Sequence, residues 1–142
     1  MDNREQSRIL AIDYGAKRVG FAITDPLRMF AIPLITIKKD KFFWGNLEKI
    51  FIEYHIEIIA LGYPLKEDGT RSSSTELVEK FQIELKKRKS IEIVLVDERY
   101  SSSIAKERII ETVPSRKKRR NKSLVDMNAA AVILQDYLEI IH

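Results

Sequence analysis

Cysteine is absent, and the 142 residues include only two histidines, His55 and His142. The first absence excludes disulfides, cysteine-based zinc sites and a thiol nucleophile. The second leaves little room for a Ser-His-Asp triad or a histidine-rich metal centre. Long apolar runs are also missing. The longest uncharged stretches, Met29 to Ile37 and Met127 to Gln135, span nine residues, whereas crossing a bilayer as a helix takes about 18 or more. Residues 1–8 offer no apolar core for a secretion signal, so a cytoplasmic protein is expected. No internal repeat or linker divides the chain, and its length predicts one domain over residues 1–142. Chemistry here must be carried by carboxylates, hydroxyls, lysine and arginine.

Charge is present in quantity but unevenly placed. Arg116, Lys117, Lys118, Arg119, Arg120 and Lys122 put six cations into seven positions. Without those six, 19 of the 25 basic residues remain against 21 acidic ones, and the chain turns slightly acidic. Such a patch suits a polyanion, because each neutralised phosphate releases counterions. It equally suits a solvated loop, and the segment alone does not decide between them.

Residues 9–14 form an apolar run without alternation, the mark of a central strand covered on both faces. A tight connection at residues 15–18 joins it to a second strand at 19–24, making a hairpin. A turn at 25–28 leads to a third strand at 31–37, which Pro33 assigns to an edge. Helical spacing follows at Phe43, Leu47, Ile50, Phe51 and Tyr54. A fourth strand spans 56–61, a second helix is marked by Leu77, Val78, Phe81 and Leu85, and a fifth strand spans 91–96. A short helix over 101–111 and a last helix over about 124–140 complete the chain. The order βββαβαβαα predicts an α/β fold with a mixed five-stranded sheet flanked by helices, the ribonuclease H-like arrangement.

Three acids stand where apolar residues belong. Asp13 ends the central strand, where an ionised carboxylate is costly unless paired or metal-bound; a turn-capping role is the plainer alternative. Glu98 follows Asp97 at the carboxyl end of the fifth strand, where ligands of open α/β sheets gather. Neighbouring strand residues face opposite ways, so only one of the two joins a shared site, and Asp97 competes for that place. Asp126 shares an inward stripe with Ala129, Ala130, Ile133, Tyr137 and Leu138. It also fits a capping box with Ser123 as N-cap. Together the three would offer oxygen ligands to Mg2+ or Mn2+, and paired ions of this kind drive phosphodiester hydrolysis.

Four ordered blocks resemble the YqgF/RuvX family of ribonuclease H-like nucleases. They are Ile12-Asp-Tyr-Gly-Ala-Lys-Arg-Val-Gly20, Leu61-Gly-Tyr-Pro-Leu-Lys-Glu-Asp-Gly-Thr70, Val96-Asp-Glu-Arg-Tyr-Ser-Ser102 and Leu124-Val-Asp-Met-Asn-Ala-Ala-Ala-Val-Ile-Leu-Gln135. The resemblance spans about residues 8 to 139. It implies Asp13, Glu98 and Asp126 as catalytic, metal-binding acids, and Lys17 and Arg18 as a basic pair meeting phosphate or the transition state. Arg99, Asp68 and Thr70 also fall on motif positions. With Arg18 and Arg99, the basic run from Arg116 to Lys122 forms the expected substrate-binding set. The resemblance further implies processing of the 5′ end of precursor 16S rRNA in ribosome biogenesis. A Holliday-junction resolvase acting on branched DNA, which would normally work as a two-fold dimer, is the alternative; the sequence leaves monomer and weak homodimer both open. A non-catalytic RNA-binding assembly factor is a third reading. A sugar kinase-like ATPase would need a second lobe that this length does not supply.

Overall fold

Five strands and three helices make up the described residues, 6–98 and 122–142, of the computed structural model. In chain order they are β1 (Ser7–Tyr14), β2 (Arg18–Thr24), β3 (Ala31–Lys38), α1 (Phe43–Glu53), β4 (His55–Tyr63), α2 (Ser73–Arg88), β5 (Glu92–Asp97) and α3 (Lys122–Ile141). The strands form one sheet in the order β3-β2-β1-β4-β5. The β3–β2–β1 part is antiparallel, and β4 and β5 run parallel to β1. This is the mixed sheet that the strand pattern predicts. The expected helix over 101–111 and the basic run from Arg116 to Arg120 lie outside the described residues.

The central place of β1 explains its unbroken apolar run, since Ile9 to Ile12 are fully buried. Leu10 and Ile12 point toward the large side chains of α1 and α2, among them Phe43, Leu47, Phe81 and Leu85. Ile9 and Ala11 point to the other face, where Ala22, Ala60 and Val96 meet Ala130, Ile133, Leu134 and Leu138 of α3. Small residues on that face let α3 come close to the sheet. β3 takes the edge, and its Pro33 lies opposite Ala22 beside a bulge, where the missing N–H costs no ladder bond.

One local detail adds to the sequence reading and another corrects it. Leu77 is 37% exposed, and Thr75 is the buried residue of that first turn. Thr75 Oγ1 accepts the Ser72 N–H at 2.9 Å and donates to the Pro64 carbonyl, while Ser72 caps the helix in return. That reciprocal cap rotates the first turn so that Thr75, not Leu77, faces inward. The correction concerns Ser123. α3 already includes Lys122, so Ser123 lies within the helix and is not its N-cap.

Candidate active site

Strand parity brings the acids to one face. Directly opposed residues of a sheet share a face, and Asp13 of β1 is opposed to Gly20 of β2, which is opposed to Thr36 of β3. On β4 the same row continues through Gly62, one step beyond the Ile12–Leu61 pair and itself opposite Val96 of β5. Asp13, Gly20, Thr36 and Gly62 thus form a transverse row at the carboxyl end of β1, on the α3 side. Glu98, two residues after Val96, keeps Val96's parity; Asp97 falls on the opposite parity. The register therefore favours Glu98 over Asp97 as the acid of this face.

Two glycines hold the row open, and neither belongs to the candidate site residues read from the sequence. A Cβ on Gly20 would lie 2.1 Å from the Asp126 carbonyl oxygen and 3.0 Å from the Met127 nitrogen. The first turn of α3 therefore rests directly on the β2 backbone. The Thr36 hydroxyl donates to the Ser123 carbonyl at 2.6 Å and anchors the same turn from β3. A Cβ on Gly62 would meet Ile133 Cδ1 at 2.7 Å and Glu98 Oε1 at 3.1 Å, so the Glu98 carboxylate lies over β4. Isolated glycines inside strand patterns are the available signal for such close approaches.

Both Gly62 neighbours are flexible side-chain ends, which makes Gly62→Ala a graded probe. Overpacking of this kind costs about 1–2 kcal/mol. We expect a melting temperature lower by a few degrees and a larger proportional loss of any cleavage activity, because Glu98 must move. Calorimetry alongside a cleavage assay checks this; unchanged cleavage would show that the position of Glu98 is immaterial.

The electrostatics differ between the acids. Asp126 accepts a hydrogen bond from Arg18 Nε at 2.9 Å in a partly buried ion pair. Its carboxylate is thus engaged across the sheet instead of capping its own helix. Arg18 Nη1 and Nη2 have no hydrogen-bond partner among the described residues. No cation of the described residues pairs with Asp13. Burial, and then the nearby Asp126 charge, push its pKa up from 3.8 to about 6. No hydrogen bond from a described residue offsets this. Lys17 is exposed in the hairpin loop between β1 and β2, and Gly15 N–H closes that loop on the Arg18 carbonyl at 3.0 Å.

Among the described residues, no three His, Asp or Glu side chains converge closely enough to make a ready metal cage. The donor chemistry nevertheless fits a hard cation: Asp13 is an unneutralised carboxyl under repulsion from Asp126, and a divalent ion relieves both burdens. Asp68 accepts the Thr70 N–H and hydroxyl, at 2.9 and 2.6 Å, in the loop after β4. This pair shapes the loop before α2. Arg99 lies outside the described residues, and Lys122 is described only by its backbone at the start of α3.

Comparison with known proteins gives a consistent picture. The family model RuvX, described as Holliday junction resolvase, matches residues 7–140. A relative from Azobacteroides pseudotrichonymphae is 42% identical over 135 residues, covering 94% of this chain and 97% of its own length. One from Flavobacterium psychrophilum is 40% identical over 132 residues, covering 92% and 96%. Both bear the name "Putative pre-16S rRNA nuclease". Among solved structures, the fowlpox virus resolvase in complex with Holliday junction DNA aligns with a TM-score of 0.56 at 14% identity, covering 94% of this chain and 98% of that one. Thermus thermophilus RuvC with its junction substrate aligns with a TM-score of 0.53 at 12% identity, covering 95% and 96%. At such identities the likeness shows the fold, which is the ribonuclease H-like one expected from the element order. No described helix is long and apolar enough to cross a membrane.

Proposed function

The chain belongs to the RuvX family, and from that membership we propose that it is a divalent-metal-dependent nuclease that processes the 5′ end of precursor 16S rRNA. The observation that carries the reading is Asp13. Its carboxyl ends a buried strand, lacks a cationic partner among the described residues, and has a pKa raised to about 6. Structural stability gives no reason to keep it there, whereas metal binding does.

Asp13 and Asp126 would hold Mg2+ or Mn2+, with Glu98 completing the acidic set over Gly62. When bound, such ions polarise the phosphate and lower the pKa of water. The residues of the chain supply the rest. Arg18 fixes the Asp126 carboxylate through Nε and presents its Nη atoms to a phosphate oxygen, a geometry that suits the guanidinium fork. Lys17 meets the backbone from the hairpin, and Glu98 orients the attacking water. The displacement breaks one P–O bond and forms another from water, leaving a phosphate and a hydroxyl end. The basic run from Arg116 to Lys122, together with Arg99, extends the grip on the substrate.

The test is cleavage of a precursor 16S RNA carrying its 5′ leader, with a synthetic four-way DNA junction in parallel, each with and without Mg2+ or Mn2+. Metal-dependent cutting of the RNA alone is expected. Cutting of the junction alone would transfer the assignment to a resolvase, a reading favoured by the family description. RNA binding without cutting of either substrate would make the protein an assembly factor.

A further inference from the structure

We propose that the β1–β2 hairpin and the β3–α1 connection together form a second nucleic-acid contact, a basic and aromatic ledge that takes the single-stranded continuation of the substrate. This rests on the nuclease reading for its purpose; its evidence shares Lys17 with that reading and otherwise comes from residues outside the acidic site.

The two segments are tied into one surface, because Lys39 N–H donates to the Lys17 carbonyl at 3.0 Å. Lys17, Lys38, Lys39 and Lys41 therefore gather beside the end of β1 that bears Asp13. None of the four pairs with a carboxylate among the described residues. The one acid between them, Asp40, spends an oxygen on the Phe42 N–H at 2.9 Å, which shapes the turn into α1. Four unpaired lysines against one engaged acid leave a clear positive excess, and phosphate is the chemistry that it fits.

Aromatic rings are interleaved with these charges. Lys39 Nζ lies 4.2 Å from the ring centroid of Tyr14, the residue next to Asp13. That ring is held rigid by stacking on Phe81 at 4.1 Å. Lys41 Nζ lies 5.1 Å from the Phe42 ring centroid, and Phe42 is 60% exposed. An exposed ring under a flexible lysine is a stacking platform for an unpaired base, while a base inside a duplex has no free face to offer. Beside the ledge a groove of about 510 Å3 lies between β3 and α1, where Lys38 and Lys49 are balanced by Asp40 and Glu53 in a mainly apolar lining. Cations that meet a backbone and an exposed ring that receives a base together describe a contact for a single strand.

The test uses the full chain in EDTA, so that cleavage plays no part. A fluorescein-labelled 15-nucleotide oligo-uridylate and a blunt RNA duplex of equal length are titrated by anisotropy across a salt series. The Lys38→Gln/Lys39→Gln/Lys41→Gln variant is expected to bind the single strand at least tenfold more weakly. Its log K against log salt slope should flatten by about 2, as three lost phosphate contacts on a single strand imply. Phe42→Ala should weaken single-strand binding about tenfold with the slope unchanged. Unchanged affinity and slope in the triple variant would overturn the ledge, as would equal losses for strand and duplex. Metal-dependent cleavage by the parent protein is scored separately, so failure of the ledge and failure of the nuclease reading give different results.

Discussion

Replacing Asp13 with asparagine should yield a protein that is more stable than the parent and almost inactive. The free Asp13 carboxyl has its pKa raised from 3.8 to about 6, first by burial and then by Asp126. Between roughly pH 4 and 6 the native state therefore keeps a proton that the unfolded chain has released. Stability conferred by that proton is complete below pH 4 and falls as pH rises through 6. Above this window the ionised native carboxylate costs about 3 kcal/mol, at 1.36 kcal/mol for each pKa unit. Asparagine has nearly the shape of the protonated acid and no charge, so the cost disappears. In EDTA at pH 8, Asp13→Asn should melt roughly 5–10 °C above the parent, and the two curves should converge near pH 4. Cleavage should fall ~10²–10⁴-fold, the usual range for losing a group that moves protons or stabilises charge in the transition state. Equal melting temperatures at pH 8 would show that Asp13 is not held at a cost. Full activity in the variant would remove it from the site.

Gly20→Ala should do the reverse and damage both fold and function. The new methyl would sit 2.1 Å from the Asp126 carbonyl oxygen and 2.4 Å from its carbon. These are backbone atoms of a helix and cannot swing aside as a side-chain tip can. Relief requires α3 to withdraw from β2 by on the order of 1 Å, with strain at or above the upper end of the ~1–3 kcal/mol range for overpacked sites. The same withdrawal pulls on the 2.9 Å Arg18–Asp126 bond and the 2.6 Å Thr36–Ser123 bond. A urea titration should show a large loss of stability, and the cleavage assay a loss beyond what unfolding accounts for. Gly45→Ala serves as the contrast: Gly45 lies in α1 with open space around its Cα. Alanine there should stabilise by about 0.5–1 kcal/mol through helix propensity. If the two variants behaved alike, the close approach at Gly20 would have no energetic weight.

The sequence made the strands legible because β1, β4 and β5 are apolar runs too short for helices, and Pro33 marked β3 as an edge. The same lack of alternation hid which way each β1 side chain points. Asp13 could therefore be named as anomalous in the sequence, but its face became visible only from the Gly20 and Thr36 pairings. The face taken by Asp97 or Glu98 was likewise a question of parity, which becomes visible from the pairing of β5 with β4 and not from one strand alone. Ser123 and Asp126 show the opposite limit. Their spacing satisfies a capping box, yet the carboxylate is bonded to Arg18, 108 residues away. Local patterns rank the partners close in sequence and are silent about distant ones. The exposure of Leu77 was hidden for a similar reason: apolar spacing marked the helix, but a threonine with two hydrogen bonds to make set the rotation of its first turn.

The bond between Arg18 and Asp126 also bears on how the protein is made. The first strands leave the ribosome early, and β1, β2 and β3 can pair through short connections. Their α3-facing row, including Asp13 and Gly20, then waits with no covering layer and no second acid. Only when α3 has been synthesised does the sheet gain its other face, and Arg18 its carboxylate. Asp126 therefore joins Asp13 only when folding is nearly complete. Loss of α3 would uncover the core and remove the Arg18–Asp126 pair in one step.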